Sequence, residues 1–468
     1  MMGNKVPHLA IVGAGPAGIG AAIAARRAGL RVSVIDDQLE PGGQIWRSAG
    51  STPLDHARSL GPEYMVGRER VGEFLSSGVE YFAQHTLWQI EYEGDRPVLY
   101  YAGPGGSRVL RSDYVLLATG AVERPMPVPG WTLPGVMTAG GLQILLKSAQ
   151  LCPDKAILTG AGPLLWLLAA QMVEAGAPPV ALVETVPVSS YLAAARFLPK
   201  ALRQPAPLKK GIGLIARVRL AGVPIYRGAR DLRILGDSRV QALGFRTWSG
   251  AEKRIEAETI GLHHGVVPNQ QASRLLRLSH EWVATQHAFV PERDHDLMAA
   301  PRLYLAGDGA GIGGADVAWL EGQVVAGLVS GKDVGALRLA LVAAKAARPF
   351  IDRLYLPAAH VRQPADDTII CRCENVTAGQ IRQAVRDSAM GPNQVKFMLR
   401  PGMGPCQGRV CGLAVSETVA QCQGRDMKDA GYFRIRPPLK PIGLSVIASL
   451  PQDAGDGISL PDDHFVET

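Results

Sequence analysis

Residues 8–37 read HLAIVGAGPAGIGAAIAARRAGLRVSVIDD. The first five are apolar or nearly so and end on a glycine-rich turn, as a buried parallel strand does. Gly13, Gly15 and Gly18 make a G-x-G-x-x-G turn, with Pro16 and Ala17 inside it opening a helix. The glycines play different parts. Gly13 permits the sharp turn, Gly15 lets main chain approach a pyrophosphate, and Gly18 lets helix and strand pack closely. Free amides at the helix start then face the phosphates. The second strand, RVSVI, ends on Asp36 and Asp37. Asp36 follows the glycine turn at the place where a carboxylate accepts from ribose hydroxyls. Asp37 is the second candidate for that contact. The spacing predicts a βαβ unit that binds a dinucleotide.

Three later stretches resemble the remaining cofactor loops of two-dinucleotide flavoproteins. PGGQIWR, 41–47, brings Gly42, Gly43 and Gln44 as a second phosphate-and-flavin loop. DYVLLATGAVERP, 113–125, is an apolar strand running into Ala118, Thr119 and Gly120. PRLYLAGDGAGIGGADVAWLEGQVVAG, 301–327, ends its strand at Gly307 and Asp308, and the resemblance puts that aspartate on the ribityl or phosphate-linking hydroxyls. The following helix would turn its positive end to the flavin ring. In this order the elements point to FAD.

The plan recurs in KAILTGAGPLLWLLAAQMVEAGAPPVALVET, 155–185, with Gly160 and Gly162. Glu184 follows them at nearly the spacing that separates Asp36 from Gly13. The third glycine is replaced by Leu165, which narrows the approach to a pyrophosphate. If a nucleotide binds, Glu184 favours a free ribose hydroxyl; otherwise the domain is retained for its fold or for a partner. No cysteine pair adjoins either glycine motif, so thiol–disulfide chemistry is excluded, and no catalytic residue is assigned to this chain.

The 468 residues are 47% hydrophobic and 19% charged, ordinary for a globular protein of several domains. No secretory signal precedes the glycine motif and no transmembrane span is visible, so a cytoplasmic location is expected, with a peripheral place on the inner membrane as the alternative. Much of the net charge of +7 lies in 196–219, where Arg196, Lys200, Arg203, Lys209, Lys210, Arg217 and Arg219 occur with no acid. This reads as a solvated face, with a docking surface or anion site as alternatives; no nucleic-acid module accompanies it.

Four of the six cysteines cluster late: Cys371 and Cys373 as C-x-C, then, beyond the stretch 374–405, Cys406 and Cys411 as C-x4-C. Four thiolates hold a [2Fe–2S] cluster or a zinc ion, and C-x-C is an unusual bite for zinc. DDTIICRCENV reads as a strand into a turn and TAGQIRQAVRD as an amphipathic helix. RPGMGPCQGRVCGLAVSETVAQ reads as a glycine loop entering a helix, with Cys406 near its start and Cys411 one turn in. The spacing resembles the bacterioferritin-associated-ferredoxin (BFD) type of [2Fe–2S] domain. Cys422 is expected to be packed within the helix and Cys152 to be a buried small side chain.

Taken together, GAGPAG, PGGQI, LATGAVERP, GAGPLLWLLA, LHHGVVPN, AGDGAGIGGA and CRCENVT…GMGPCQGRVCG resemble the flavin/[2Fe–2S] (alpha-type) subunit of bacterial multi-subunit amino-acid and opine dehydrogenases. That family includes opine oxidase, D-hydroxyproline dehydrogenase and hydrogen cyanide synthase subunits. Leu165 is shared with it. Members often read Cys-x-Gly where this chain has His263-His264-Gly265, which reads here as a plain loop pair. The resemblance implies an α/β fold with two glutathione-reductase-like Rossmann domains and a C-terminal BFD-like [2Fe–2S] domain. It implies an electron-transfer subunit of a dye-linked octopine, nopaline or D-hydroxyproline dehydrogenase passing electrons to a respiratory acceptor. The alternatives are a stand-alone NAD(P)H-dependent reductase and a hydrogen cyanide synthase subunit. Implied partners in a hetero-oligomer are an amino-acid-oxidase-like flavoprotein subunit, joined in some members by a small ferredoxin-like [2Fe–2S] subunit. Some relatives carry FMN at the subunit junction; nothing in this sequence shows it. The expected domains are 1–125 with 288–345 for FAD, 126–287 for the second nucleotide-like fold, a linker at 346–363, the cluster domain at 364–425, and an extended tail at 426–468.

Overall fold

The computed structural model describes residues 6–450; the expected tail beyond 450 lies outside the described residues. The βαβ opening forms as expected. Strand His8–Val12 pairs in parallel with Arg31–Ile35 on one side and Tyr114–Leu117 on the other. Glu80–Phe82 and Leu303–Leu305 extend the parallel sheet, and antiparallel Met298–Ala300 closes one edge, giving six strands. Helix Pro16–Arg27 packs against Ala315–Val329 at backbone distance. A Cβ on Gly322 would stand 2.0 Å from the Ala17 carbonyl oxygen, and one on Gly20 would stand 2.7 Å from that of Trp319. Only glycine permits that approach.

The second sheet has five parallel strands in the order Ile225–Tyr226, Ala181–Glu184, Ala156–Gly160, Thr259–His263, Val136–Thr138. The two sheets are joined by a two-stranded ribbon, Ala121–Glu123 with Val266–Pro268. HTLWQIEYEGDRPVLYYAG is the expected meander, completed by a third strand, Gly106–Arg111.

The cysteine module is a short hairpin, Ile369–Cys371 with Val376–Thr377, and the helices Ala378–Arg386, Pro392–Leu399 and Gly412–Gln423. It does not stand apart. Ile370, Cys371, Ile381, Val395, Val415 and Val419 share one buried core with Val12, Val115, Leu117 and Leu305 of the six-stranded sheet. Each fully buried aliphatic side chain removed from water contributes about 2 kcal/mol, so this joint stabilises both halves.

Several expectations are corrected. The expected linker at 346–363 contains a helix, Arg348–Leu354, and a short 3-10 turn, Ala359–Arg362. The described part of the tail is extended through 431–443 but carries short helices on either side, Met427–Ala430 and Leu444–Ala448. It lies on this chain's own meander: Leu439 is buried and donates its N–H to the Trp88 carbonyl at 2.7 Å. Cys422 is exposed, since it falls on the outer face of its helix. The basic run 196–219 faces solvent, with Lys210 paired to Glu63 and Arg217 3.7 Å from Glu174. Among the described residues no helix is long and apolar enough to cross a membrane.

Candidate functional site

At the end of the first strand the chain leaves a cradle. Gly18 is structural: a Cβ there would lie 1.9 Å from the Gly13 oxygen. Gly13 has φ +102° and turns beneath Ala118. Gly15 is different, because a Cβ would meet nothing nearer than the Gly43 Cα at 3.9 Å. The two glycine loops approach main chain to main chain, since a Cβ on Gly43 would stand 2.9 Å from the Gly15 Cα, whereas one on Gly15 would make only ordinary contact. Asp36 is buried and accepts from the amides of Ala14 and Gln38, which fixes the carboxylate beside the loop. Asp37 is instead tied to Lys440 of the tail.

The second loop, Gly42 to Gln44, is fastened by a buried lysine. Lys147 donates to the carbonyls of Gln44 at 3.1 Å and Ile45 at 2.9 Å and to Gln143 at 3.0 Å. Burial pushes its pKa down to about 7. Nothing local in the sequence marks Lys147, which arrives from the helix Ala139–Ala149. Gly120 and Asn269 come together through Asn269 N–H to Gly120 O at 2.9 Å, with Thr119 Oγ1 on the Asn269 carbonyl at 3.1 Å. Asp308 accepts from the amides of Gly313 and Gly314, both at 2.8 Å, and so shapes the turn into helix Ala315–Val329.

The second glycine motif is filled from within. A Cβ on Gly162 would meet the His263 ring at 2.7 Å, and one on Gly160 would meet the His263 carbonyl oxygen at 1.7 Å. Glu184 is 1% exposed and accepts from Trp166 Nε1 at 2.9 Å, with Arg227 at 3.5 Å. The expectation that Gly160, Gly162 and Glu184 hold a nucleotide runs against this packing. Trp166, next to Leu165, was the available signal: an aromatic N–H donor near the start of the helix. NADH is accordingly expected to reduce the bound flavin more than about 100-fold more slowly than substrate reduces it in the assembled complex. Anaerobic stopped-flow absorbance measures this, and fast bleaching by NADH would refute it.

His263 and His264 are not a loop pair. His263 closes the strand Thr259–His263, and its Nδ1 lies 2.6 Å from Glu123. His264 is 2% exposed, and burial, with His263 and Arg124 nearby, pushes its pKa down to about 3. Arg124 beside it donates to the carbonyls of His264, His287 and Gln286. His287 Nε2 in turn lies 3.0 Å from Glu417 of the cluster helix. This buried joint links the second sheet to the cysteine module. A neutral imidazole in the fold and an ordinary one in the unfolded chain mean stability is full above about pH 6.5 and is lost as pH falls toward 3. At pH 5 the loss from His264 is about 2 kcal/mol. His264→Leu is expected to remove that part of the acid slope. Urea midpoints at pH 7 and 5 that fall in parallel for both proteins would refute it.

The four late cysteines converge. Contacts run in a chain from Cys373 to Cys406, from Cys406 to Cys411, and from Cys411 to Cys371. The Cys411 thiol and then main-chain amides lower the pKa of Cys371, to about 6, and of Cys406, to about 5. The amides on Cys371 come from Gly402, Glu374 and Cys373, and those on Cys406 from Val410 and Gly408. Contact with Cys371 and Cys406, together with burial, raises the pKa of Cys411. Cys411 is the N-cap of helix Gly412–Gln423 rather than one turn inside it, because the turns at Gln407 and Gly408 delay the helix start. Among the described residues no group of three or more His, Cys, Asp or Glu side chains closes round a single ion. Four thiols ringed by main-chain amides are a donor set that a [2Fe–2S] centre takes. The flavin elements reach this loop directly: Gln271, next to Asn269 and Gln270, donates to the Gln407 carbonyl at 3.1 Å.

The sequence matches the pyridine nucleotide-disulphide oxidoreductase family over residues 7–322 and the BFD-like [2Fe-2S] binding domain over 369–421. It is 43% identical over 452 residues to the A subunit of opine oxidase from Rhizobium meliloti, an alignment covering 94% of this chain and 98% of that one. The chain belongs to the family of opine oxidase A subunits. As a member it is an oxidoreductase subunit carrying FAD on its glycine-loop fold and a [2Fe–2S] cluster on its BFD-like module. Hydrogen cyanide synthase subunit HcnB of Pseudomonas protegens is more distant, at 28% identity over 95% of this chain and 98% of that one. Among solved structures, L-proline dehydrogenase from P. horikoshii superposes with a TM-score of 0.69 at 17% identity, covering 94% of this chain and 79% of that one. That likeness speaks for the fold. The relatives are named as subunits, and this family member too is part of a hetero-oligomer.

Proposed function

We propose that this chain is the electron relay of an opine or amino-acid dehydrogenase, taking electrons from an amino-acid-oxidase-like flavoprotein partner and delivering them toward a respiratory acceptor. Octopine, nopaline and D-hydroxyproline are the substrate class assigned to the partner. FAD, when bound, takes up two electrons together, and a [2Fe–2S] cluster passes them on singly. The observation that carries the reading is the shared core of the flavin sheet and the cysteine module, bridged at Gln271 and Gln407. The closed second glycine motif supports a source of electrons other than NAD(P)H.

In this reading Gly13, Gly15, Pro16, Ala17, Gly18, Asp36, Gly42, Gly43, Gln44, Ala118, Thr119, Gly120, Gly307 and Asp308 hold FAD, and Cys371, Cys373, Cys406 and Cys411 hold the cluster. Residues 1–125 with 288–345, 126–287 and 364–425 are its three working domains. Gly15 and Gly43 let the two loops approach closely, Lys147 holds the second loop, and the amides of 402–410 neutralise thiolate charge.

The test is dye reduction by octopine, nopaline or D-hydroxyproline. The isolated chain is expected to be inactive, and activity is expected to appear on adding the amino-acid-oxidase-like flavoprotein. Robust dehydrogenation by the isolated chain would sink the proposal.

A further inference from the structure

The centre has one open side. Cys371 and Cys411 are buried, whereas Cys373 is exposed. The loop beside Cys373 lies directly on it: a Cβ on Gly404 would meet the Cys373 Cβ at 2.3 Å and its Sγ at 3.1 Å. Met403, between Gly402 and Gly404, is therefore next to the exposed ligand and is itself 39% exposed. The Met403 amide donates to the Arg400 carbonyl at 3.0 Å, which sets it at the end of helix Pro392–Leu399. That helix offers Phe397, 83% exposed, and Met398, 46% exposed, and Val410 of the ligand loop is open as well. Apolar side chains of this size at the mouth of a redox centre form a surface suited to burial by another molecule.

Among the described residues the charge around this face is net positive. Residues 390–411 and 431–443 contain Lys396, Arg400, Arg409, Arg434, Arg436 and Lys440 and no Asp or Glu. The two segments are adjacent: Asn393 accepts from the Arg434 amide at 2.8 Å, and the Lys396 ammonium reaches the Arg434 carbonyl at 3.3 Å. Two acids reach it among the described residues, and both are paired: Glu374 of the cysteine hairpin with Arg400 at 3.1 Å, and Asp37 with Lys440.

We propose that this face, the apolar ring of Phe397, Met398, Met403 and Val410 inside its basic rim, docks a small one-electron carrier protein with an acidic rim. The inference rests on the relay reading above and names the partner at its outlet. The transfer is one electron with no proton or bond change: one partner's centre is oxidised by one and the other's reduced by one. An acidic rim is selected because opposite charge steers encounter, and the apolar centre holds the docked pair.

The probe is an acidic [2Fe–2S] ferredoxin, which reads the same docking contact in the reverse direction: it is reduced, freed of reductant and mixed anaerobically with the oxidised full-length chain carrying FAD and cluster. The second-order rate of electron transfer is expected to fall at least about 10-fold on raising the salt from low to about 0.5 M. Arg400→Glu with Arg436→Glu is expected to lower the low-salt rate by a similar factor and to flatten its salt dependence. Phe397→Ser with Met403→Ser is expected to weaken saturation without changing the salt slope. Flavin and iron contents are measured on every variant. A rate indifferent both to salt and to charge reversal would overturn the proposal. So would binding of the face to phosphatidylserine vesicles while transfer from ferredoxin stays unaltered. A chain that lacks iron would instead defeat the relay reading itself, so the two failures are distinct.

Discussion

A Cys411→Ser chain is expected to keep its flavin and lose its iron. Cys411 is buried at the helix N-cap and contacts both Cys371 and Cys406, so it is the middle link of the thiol chain. A serine hydroxyl is a far weaker iron ligand than a thiolate, and its smaller oxygen also withdraws from the two thiols it must join. Iron is expected to fall from about two per chain to under about 0.2, with matching loss of acid-labile sulfide. Electron delivery by the assembled complex should drop by more than about 100-fold. Flavin should remain because the glycine cradle lies at the ends of different strands. Elemental analysis and released-flavin absorbance check both halves. Full iron content in this variant would show that the four thiols are not the ligand set.

The second large effect separates two glycines of the same turn. Gly15→Ala adds a methyl group in ordinary contact, 3.9 Å from the Gly43 Cα. The chain should fold with the thermal stability of flavin-free wild type, while FAD affinity falls by about 100-fold or more, since the methyl stands where the pyrophosphate approaches. Gly18→Ala places the same methyl 1.9 Å from the Gly13 oxygen, a contact no side-chain rotation relieves. It should cost about 3 kcal/mol or more of stability and shift the loop, so flavin is lost along with folding. Released flavin per chain and thermal unfolding, measured together, distinguish the cases. A Gly15→Ala chain that retains its flavin would contradict the cradle.

How much of this was legible follows from where each interaction lies in the chain. The first βαβ unit could be read because its strand, turn and acid all fall within the single stretch 8–37, and local chemistry decides all of them. The second motif looked like a damaged copy at Leu165, but the residues that fill it, His263 and Trp166, are recognisable only once strand Thr259–His263 is laid beside Ala156–Gly160. The four cysteines were legible as a group, and the fold brings them together. The helix start was misplaced because the main chain turns left-handed at Gln407 and Gly408 before Cys411. The joint between cluster module and flavin sheet was hidden for a plainer reason. Ile370, Val415 and Val419 announce that they will be buried, and nothing in their pattern says against what. Lys147 and Arg124 were missed similarly, since their acceptors are main-chain carbonyls far along the chain, at 44–45 and 264–287.

The central claim is that FAD and a [2Fe–2S] cluster reside together on this one polypeptide. Anaerobic reductive titration of the purified chain, followed by flavin absorbance and EPR, tests it most directly. Uptake of about three electrons per chain is predicted, two bleaching the flavin and one raising a rhombic cluster signal that Cys411→Ser abolishes. Uptake of two electrons with no EPR signal, in protein that contains zinc or no metal, would contradict it.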